Sequence, residues 1–340
     1  MTLLRVACVG AGYFSQFHID GWQRIPQVSL VGVCDLDIVK ARQASQGAPA
    51  FDDLQSMLAE TKPDLLDIVL PPSGHRAAVD NAINAGCKTI ICQKPFGADL
   101  QDARAMVSAS EHAGVQLIIH ENFRFQPWYR AIKQSIDGGL IGDVLQATFR
   151  LRPGDGQGED AYLSRQPYFR EMPRFLIHET GVHFVDVFRY LFGDPTHVFA
   201  DLRQVNPVIA GEDAGFVIFT HKRGVRAVLD ANRNLDHAAD NTRRTMGEAL
   251  IEGTDGALSL TGDGAVHFRK FGAFQEDMLL EPNTFDGFGG DCTFALQHHV
   301  VMALEADRQP ENGAQTYLRV LEIEAAIYAS AESGCRVALA

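Results

Sequence analysis

The segment from His178 to His183, HETGVH, places two histidines and a glutamate within six residues. Such a group could bind a metal ion or transfer a proton. In the helical zinc-protease motif the two histidines are at positions i and i+4, on one face of the helix. Here they are at i and i+5, which on a regular helix turns them roughly 140° apart at about 100° per residue. The spacing therefore predicts no shared metal ion.

The same segment is better suited to proton transfer. Glu179 and His183 are at i and i+4, and Asp186 follows three residues later, so a regular helix places all three on one face. The unperturbed pKa of histidine lies close to neutral pH, which makes His183 a candidate base. His178 points to another face and is expected to be structural or to lie at the rim.

A glycine turn near the amino terminus indicates a nucleotide site. The segment VACVGAGYFSQFH reads as a strand, a turn with Gly10 and Gly12, and the start of a helix, with Ser15 in the place of a third glycine. Gly10 permits a tight turn, and Gly12 lets a pyrophosphate approach the backbone at the helix start. Tyr13 and Phe14, which follow at once, are expected to lie beside the cofactor.

A carboxylate at the end of the next strand identifies the nucleotide. SLVGVCD ends in Asp35, about twenty residues beyond the turn, where a carboxylate can accept hydrogen bonds from both ribose hydroxyls. It would repel a 2′-phosphate, and no arginine follows to neutralise one. NAD is therefore predicted over NADP. Methyltransferases can share both features, so the pair predicts a nucleotide site and leaves the chemistry open.

The elements that position these residues differ between two parts of the chain. Residues 1–122 alternate apolar strands with helical stretches, which predicts a doubly wound parallel sheet, a Rossmann domain. Ligands bind at the carboxyl ends of such strands. Two of those ends carry Pro71, Ser73 and His75 in DIVLPPSGH and Gln93-Lys94-Pro95 in TIICQKPF. Lys94 is thus well placed for catalysis.

Residues 123–340 predict an α+β domain with a large, mostly antiparallel open sheet, which would bind substrate and mediate oligomerisation. Two helices close the chain, around 294–307 and 314–333, and the last is expected to pack back on the first domain. A loop rich in glycine and aspartate, from Arg152 to Tyr162, is expected near the bound ligand.

Composition limits the classes of partner. The 340 residues carry a formal charge of −13 with a pI near 5.3, which argues against nucleic acid and anionic membrane as partners. No apolar run approaches the ~18 residues of a membrane span, and strand-like sequence begins too early for a signal peptide. The six cysteines form no CxxC pair, which favours reduced thiols in a cytoplasmic protein.

Seven segments in order make the chain resemble the Gfo/Idh/MocA family of NAD(P)-dependent oxidoreductases along essentially its whole length. They are VGAGYFSQFH, VCDLD, DIVLPPSGH, CQKPF, NFRF, ETGVHFVDVFRYLFG and LRVLEIEAAIYASAESGCRV. The resemblance implies a Rossmann domain followed by an open-sheet domain. The family's Glu-Lys-Pro motif, often with a cis bond before the proline, falls on Gln93, Lys94 and Pro95. Its Asp-xxx-His motif falls on Glu179 and His183.

Three positions depart from the family pattern. Gln93 replaces a glutamate but keeps a group able to bond ribose. Glu179 replaces an aspartate, so its carboxylate reaches about one methylene further. A usual glycine pair is replaced by Pro173-Arg174, which puts an arginine at the pocket rim.

The resemblance implies a division of roles in the oxidation of a hydroxyl. His183 would accept the proton, Lys94 would contact the substrate oxygen, Glu179 would orient both, and Asp186 would support the His183 ring. Cofactor contacts are also expected from Asn122 and from Arg170, which resembles an arginine that many members place over the cofactor. Other candidates for the substrate pocket are Arg124, Trp128, Arg165, Tyr168 and Arg174.

The expected function is an NAD-dependent dehydrogenase for a sugar or polyol, with aldose-to-lactone oxidation as one form. Two alternatives stay open: a sugar lyase or hydrolase with transient redox on bound NAD, and a non-catalytic regulatory protein that binds NAD and a sugar. A homodimer or homotetramer is expected through the outer face of the second sheet, since GFVIFTH and VRAVLDA are more apolar than one covered face requires.

Overall fold

The chain forms two compact units. The computed structural model describes residues 3–285 and 287–339. The first unit comprises Met1–Asn122 with Thr293–Leu321, and the second comprises Phe123–Cys292 with Glu322–Ala340. The predicted boundary after residue 122 agrees with this division. Residues 293–321, predicted in the second domain, cluster with the first unit instead.

Hydrogen bonds between distant parts of the sequence account for that difference. Gln297 Nε2 donates to the His18 carbonyl at 3.0 Å, and Asn312 Nδ2 donates to the Glu121 carbonyl at 2.6 Å. Gly21 allows the close approach, because a Cβ there would lie 2.0 Å from Gln297 Oε1. Such pairings leave no periodic signal in the sequence.

The first unit is built on a parallel sheet of six strands in the order β3-β2-β1-β4-β5-β6. The strands are β1 (Leu4–Val9), β2 (Val28–Cys34), β3 (Ala50–Phe51), β4 (Leu65–Ile68), β5 (Thr89–Gln93) and β6 (Gln116–His120). The helices are α1 (Ser15–Gln23), α2 (Ile38–Ala44), α3 (Leu54–Thr61), α4 (Pro72–Asn84), α5 (Leu100–Ala113) and, from the carboxyl-terminal part, α8 (Cys292–Glu305).

This sheet confirms the predicted doubly wound parallel fold. The apolar runs 4–9 and 28–34, which the sequence predicts as strands, coincide with β1 and β2. The runs predicted at 65–70, 89–92 and 115–119 differ from β4, β5 and β6 by one or two residues at their ends. The helical pattern DLQDARAMVSASEHAG ends in a glycine and so predicts a left-handed cap at Gly114; the structure has it there, with φ of 64°, at the end of α5. The two-residue β3 was not predicted, because so short a strand has no alternation to detect.

The second unit is built on a nine-stranded sheet in the order β14-β13-β12-β11-β7-β10-β9-β8-β15. Within this sheet, β7 and β10 form the only parallel pair among the described strands. The prediction of a mostly antiparallel sheet is confirmed. The strands are β7 (Val144–Leu151), β8 (Pro195–Arg203), β9 (Ala214–His221), β10 (Arg226–Asn232), β11 (Gly247–Gly253), β12 (Gly256–Leu260), β13 (Val266–Lys270), β14 (Asp277–Leu280) and β15 (Val337–Ala338).

Helices cover one face of this sheet. They are α6 (Pro127–Asp137), a π-helix (Leu176–Gly181) continuing into α7 (Val182–Phe192), and the last part of α9 (Ala314–Ser333), whose first residues belong to the first unit. Short 3-10 turns lie at Phe123–Phe125, Pro167–Glu171 and Lys222–Gly224. Phe184 of α7 packs on Phe149 of β7 with ring centroids 4.2 Å apart, so the inner face is a hydrophobic core.

The other face of the sheet carries what we term the outer apolar row, formed by Phe199, Ile218, Val228 and Leu250. The strand register pairs Phe199 with Ile218 and Ile218 with Val228, while Val228 and Leu250 both lie opposite Thr148. Leu250 is 42% exposed. Polar residues dominate the neighbouring rows, so the apolar side chains are concentrated in one band.

Candidate active site

The first unit contains a cradle suited to a dinucleotide. Gly10 has φ of +103°, and a Cβ there would lie 2.2 Å from the Val69 carbonyl oxygen, so only glycine fits. A Cβ on Gly12 would meet nothing within 4 Å, which leaves open space over the backbone. Helix α1 begins at Ser15 directly after this turn, with its positive dipole end toward the space. Tyr13, at the same turn, is 43% exposed.

Asp35 lies at the end of β2 beside the glycine turn. Its Oδ2 accepts a hydrogen bond from Ala11 N at 2.8 Å, and its Oδ1 accepts one from Asp37 N at 2.9 Å. Each carboxylate oxygen has capacity for a further hydrogen bond. The structure thus fixes a carboxylate where the sequence predicts the ribose contact, and the cradle residues fit NAD.

The residues after β4 divide into exposed and buried positions. Pro71 and Ser73 are exposed at the carboxyl end of the strand. His75 is completely buried, and its Nε2 lies 2.8 Å from the Leu70 carbonyl oxygen. Burial lowers the pKa of His75, which keeps its ring neutral at neutral pH. The structure therefore gives His75 a role in holding the strand-to-helix turn, whereas a direct cofactor contact was predicted.

Gln93 belongs to a buried hydrogen-bonded chain. Its Oε1 accepts from Lys94 N at 2.8 Å, and its Nε2 lies 3.0 Å from His18 Nε2. The other ring nitrogen of His18 lies 2.8 Å from Asp67 Oδ2. Since the side chain of Gln93 is only 7% exposed, it supports the Lys94 turn, and the predicted ribose contact stays a prediction.

Lys94 lies at the carboxyl end of β5, as predicted, and is half-buried. The Lys94–Pro95 peptide is cis, in agreement with the family pattern. Asn122, at the end of β6, is buried and donates from Nδ2 to Thr293 Oγ1 at 3.3 Å. The glycine turn, Asp35, Lys94 and Asn122 therefore follow strands that end at the same edge of one parallel sheet.

The HETGVH segment is not a regular α-helix, which corrects the premise of the spacing argument. Leu176–Gly181 is a π-helix and α7 begins at Val182. Wider turns with i→i+5 hydrogen bonds change the angle between the two histidines and between Glu179 and His183. The described residues contain no cluster of three or more histidine, cysteine, aspartate or glutamate side chains arranged to hold a metal ion.

The two histidines have different surroundings. His183 is 5% exposed, and its ring stacks on Phe123 with centroids 3.8 Å apart and an interplanar angle of 3°. His178 Nδ1 lies 2.7 Å from Glu324 Oε1 on α9, which confirms a structural contact for this residue. A stacked ring is held in one plane, and a proton acceptor benefits from that fixed orientation.

Asp186 and Arg124 form a bidentate pair. Arg124 Nε and Nη2 donate to the two Asp186 oxygens at 2.8 and 2.6 Å. The Arg124 guanidinium also lies 5.2 Å from the Tyr190 ring. Arg124 is therefore engaged with protein groups, and the predictions that it binds substrate and that Asp186 supports the His183 ring stay predictions.

Glu179 joins a buried group that sequence reasoning missed. Thr180 Oγ1 donates to Glu179 Oε2 at 2.5 Å, and Arg233 Nη1 lies 3.4 Å from the same oxygen. Arg233 also forms a forked pair with Asp155 at 3.1 and 2.8 Å. In the sequence, Arg233 stands out only as an arginine directly after the apolar strand VRAVLDAN. Its partners Glu179 and Asp155 lie 54 and 78 residues away, so the sequence does not show that they meet.

Two other predicted substrate residues surround this group. Arg165 Nη2 donates to Asp155 Oδ2 at 3.1 Å, and Tyr168 is 57% exposed. Partial desolvation of this half-exposed side chain and the negative charge of Glu179 raise the pKa of Tyr168, so its hydroxyl stays protonated at neutral pH. Arg165, Tyr168 and Glu179 thus bring hydrogen-bonding groups to one region of the second unit.

The remaining predicted contacts have other surroundings. Trp128 is completely buried and donates from Nε1 to Gln126 Oε1 at 2.9 Å, so it packs in the core and does not line an accessible pocket. Arg174 lies over the Tyr328 ring at 4.3 Å, with its side chain 56% exposed. Arg170 Nε donates to the Val208 carbonyl at 3.5 Å, and its predicted cofactor contact stays a prediction.

Comparison with known proteins gives the family. Residues 4–121 match the model of an oxidoreductase family with an NAD-binding Rossmann fold, and residues 129–259 match the GFO/IDH/MocA C-terminal domain. A D-apiose dehydrogenase from Paraburkholderia graminis is 33% identical over 98% of this chain and 89% of its own length. The chain belongs to the GFO/IDH/MocA family. A D-apiose dehydrogenase from Rhizobium rhizogenes is 31% identical over 77% of this chain and 74% of its own length.

Solved structures agree with this assignment. An oxidoreductase from Agrobacterium radiobacter, in complex with NAD+, L-tartaric acid and magnesium, matches with a TM-score of 0.89 and 26% identity. The match covers 99% of this chain and 98% of that one. This GFO/IDH/MocA protein is an NAD-dependent oxidoreductase, which confirms the family, the fold and the cofactor predicted from the sequence. No described helix is long and apolar enough to cross a bilayer.

Proposed function

We propose that this protein oxidises a hydroxyl group of a neutral sugar or polyol. The observation that carries the proposal is the charge balance around Glu179. Two arginines, Arg165 and Arg233, contact two carboxylates, Asp155 and Glu179, within hydrogen-bonding or ion-pairing distance. These four charges sum to zero, so this group offers hydrogen bonds without a net attraction for an anion. A polyhydroxy ligand meets that description better than a hydroxy acid.

The named relatives support the same class of substrate. Two D-apiose dehydrogenases match most of this chain, and an inositol 2-dehydrogenase from Rhizobium meliloti is 25% identical over 77% of it. All three names refer to polyhydroxy compounds. We include oxidation of an aldose to a lactone among the expected reactions, with the identity of the sugar left to experiment.

We assign the following roles to side chains of this chain. NAD, when bound at the glycine cradle, supplies a hydride acceptor. His183 takes the hydroxyl proton, because an imidazole held in one plane by Phe123 presents a ring nitrogen that can accept it. Lys94 stabilises the substrate oxygen as the proton leaves, and Glu179 orients the polar groups around the substrate.

An absorbance assay at 340 nm tests this proposal. Purified protein with NAD is given a panel that includes D-apiose, other aldoses, inositols and, as anionic competitors, tartrate and aldonates. Net formation of NADH with a neutral member is the expected result. A lyase or hydrolase with transient redox would change the sugar without net NADH. A regulatory protein would bind NAD and sugar without changing either, and preference for the anions would contradict the charge argument.

We further propose a homo-oligomer and a cytoplasmic location. The outer apolar row would be covered by a second copy, because a partly exposed hydrophobic band on a sheet favours association; Leu250 is exposed, and Phe199, Ile218 and Val228 are half-buried. All six cysteines are free, and five of them are buried, which suits a reducing compartment where NAD is also present.

A further inference from the structure

Arg233, which follows β10, has no place in the roles assigned above, yet it is among the largest completely buried side chains of the described chain. Its side chain is 2% exposed. Burial of a guanidinium is costly unless its charge and its donors are matched. Here the matching is extensive, since Asp155 and Glu179 more than offset the effect of burial and the pKa of Arg233 is raised.

The partners of Arg233 belong to two separate segments. Its Nε and Nη2 bind Asp155, and Nε also lies 2.7 Å from the Tyr162 hydroxyl, so both partners come from the segment 152–165. Its Nη1 donates to Thr180 Oγ1 at 2.6 Å and lies 3.4 Å from Glu179 Oε2, both in the π-helix. One side chain therefore joins the 152–165 segment to the helix that carries Glu179.

The ring and backbone contacts make this connection stiff. The guanidinium lies 4.8 Å from the Phe175 ring and 5.3 Å from the Tyr162 ring. Gly156 N donates to the Arg233 carbonyl at 2.9 Å, and Arg233 N donates to the Asp213 carbonyl at 2.9 Å. The planar guanidinium donates hydrogen bonds in fixed directions, whereas a lysine ammonium in its place would supply the charge without those directions.

We propose that Arg233 is a positioning residue that acts through Glu179 and sets the preference for neutral polyhydroxy substrates. It holds the Glu179 carboxylate in one place, and it uses Asp155 to neutralise its own charge, so the region carries no excess positive charge. Arg233 itself contacts neither substrate nor cofactor in this account. The part concerning substrate preference rests on the proposed function, whereas the part concerning Glu179 does not.

A paired substitution tests the role without leaving either member of the Arg233–Asp155 fork as an unpaired charge; Arg165 also loses its contact with Asp155, but its side chain is 19% exposed. R233M/D155N removes both members of the forked pair, and removal of both members is often tolerated where removal of one is not. R152M/D230N is the matched control, because Arg152 Nη2 also binds a half-buried aspartate, Asp230, at 2.6 Å, and Arg152 Nη1 donates to the Leu151 and Asp230 carbonyls. Should R233M/D155N not fold, R233K, which retains the charge but loses the fork, takes its place.

Kinetic coupling to Glu179 separates positioning from general stability. We expect E179Q to lower kcat/KM by roughly 10- to 100-fold in the R152M/D230N background, as in wild type. In R233M/D155N, E179Q should lower kcat/KM by less than about threefold, because the Glu179 carboxylate is no longer held in place there. A full additional loss there would overturn the proposal, since a merely structural role predicts additive effects.

Hydrogen exchange provides a second readout that needs no turnover. Amides of residues 176–181 should exchange at least about tenfold faster in R233M/D155N than in wild type, and at the wild-type rate in R152M/D230N. Equal exchange in the two paired variants would overturn the role of Arg233. If no sugar were oxidised by wild type but this exchange difference appeared, the proposed function would be wrong and the positioning role of Arg233 would stand.

Discussion

At the scale of single residues, Asp35 sets the choice of cofactor. Its two oxygens are oriented by Ala11 N and Asp37 N, so the carboxylate is presented in one geometry to the ribose. We predict that NAD binds far better than NADP, and that Asp35→Ala narrows the difference by roughly tenfold or more, as expected for loss of hydrogen bonds to a charged group. Calorimetric titration of both dinucleotides measures this.

The control for this prediction is Asp37→Ala. Asp37 is an exposed acid two residues after Asp35, and its side chain caps α2 by accepting from Val39 N at 2.9 Å. Asp37→Ala should lower the free energy of unfolding but leave the ratio of the NAD and NADP affinities nearly unchanged. Equal affinities of the wild-type protein for NAD and NADP would contradict the assignment of Asp35.

His183 and Lys94 are predicted to act as one proton-handling unit. His183→Ala and Lys94→Ala should each lower kcat by roughly 10²–10⁴-fold, the usual contribution of general acid–base catalysis. The double variant should lose far less than the product of the two single losses. NAD affinity should barely change with His183→Ala, because the assigned role of His183 is toward substrate. Steady-state kinetics and NAD titration check these outcomes.

His178→Ala is the matched histidine control for that experiment. Because His178 Nδ1 lies 2.7 Å from Glu324 Oε1, we expect this variant to lose about 1 kcal/mol of stability and to retain nearly full kcat. A chelator should leave the activity unchanged. A loss of kcat as large as that of His183→Ala would refute the separation of roles within HETGVH.

At the scale of elements, the π-helix needs external support. Glu212 supplies it by accepting from Phe175 N at 3.2 Å and Ile177 N at 3.1 Å, while Tyr328 donates its hydroxyl to Glu212 at 2.7 Å. Glu212→Ala should therefore lower the free energy of unfolding by about 2–3 kcal/mol, because two buried amide donors lose a charged acceptor. Urea denaturation measures the change.

Glu332→Ala serves as the matched acid control. Its side chain is 75% exposed and lies 3.9 Å from Arg174, a surface contact that contributes little. We expect a change within about 0.5 kcal/mol. Equal effects of the two substitutions would show that Glu212 does not support the π-helix.

The same helix shows where sequence reasoning succeeds and where it stops. Strands β1 and β2 were predicted to the residue, because buried parallel strands read as continuous apolar runs. The glycine turn and Lys94 could be predicted as site residues because each directly follows a predicted strand. A π-turn shares the composition of an α-helix, so HETGVH was read with the wrong angle per residue. Arg233 was missed because its role depends on side-chain contacts with residues 53 to 78 positions away.

At the scale of the whole molecule, the strand register places apolar and polar side chains in separate rows on the outer face of the nine-stranded sheet. The outer apolar row takes one side chain from each of β8, β9, β10 and β11, with Thr148 of β7 between Val228 and Leu250. The row two residues further along β9 holds Thr220 opposite Arg226 and His197. Burial of an apolar row against a second copy removes hydrophobic surface from water, whereas burial of the polar row does not.

We therefore predict that the wild-type protein is a dimer or tetramer at micromolar concentration and that Ile218→Lys dissociates it. A lysine between Phe199 and Val228 would bury an unpaired charge in the interface, which costs several kcal/mol. Thr220→Lys, on the same strand and the same face, is the matched control and should leave the assembly intact. Light scattering gives the mass of each variant, and NAD titration verifies that each is folded. A monomeric wild-type protein, or equal dissociation by both lysines, would show that this row is not the interface.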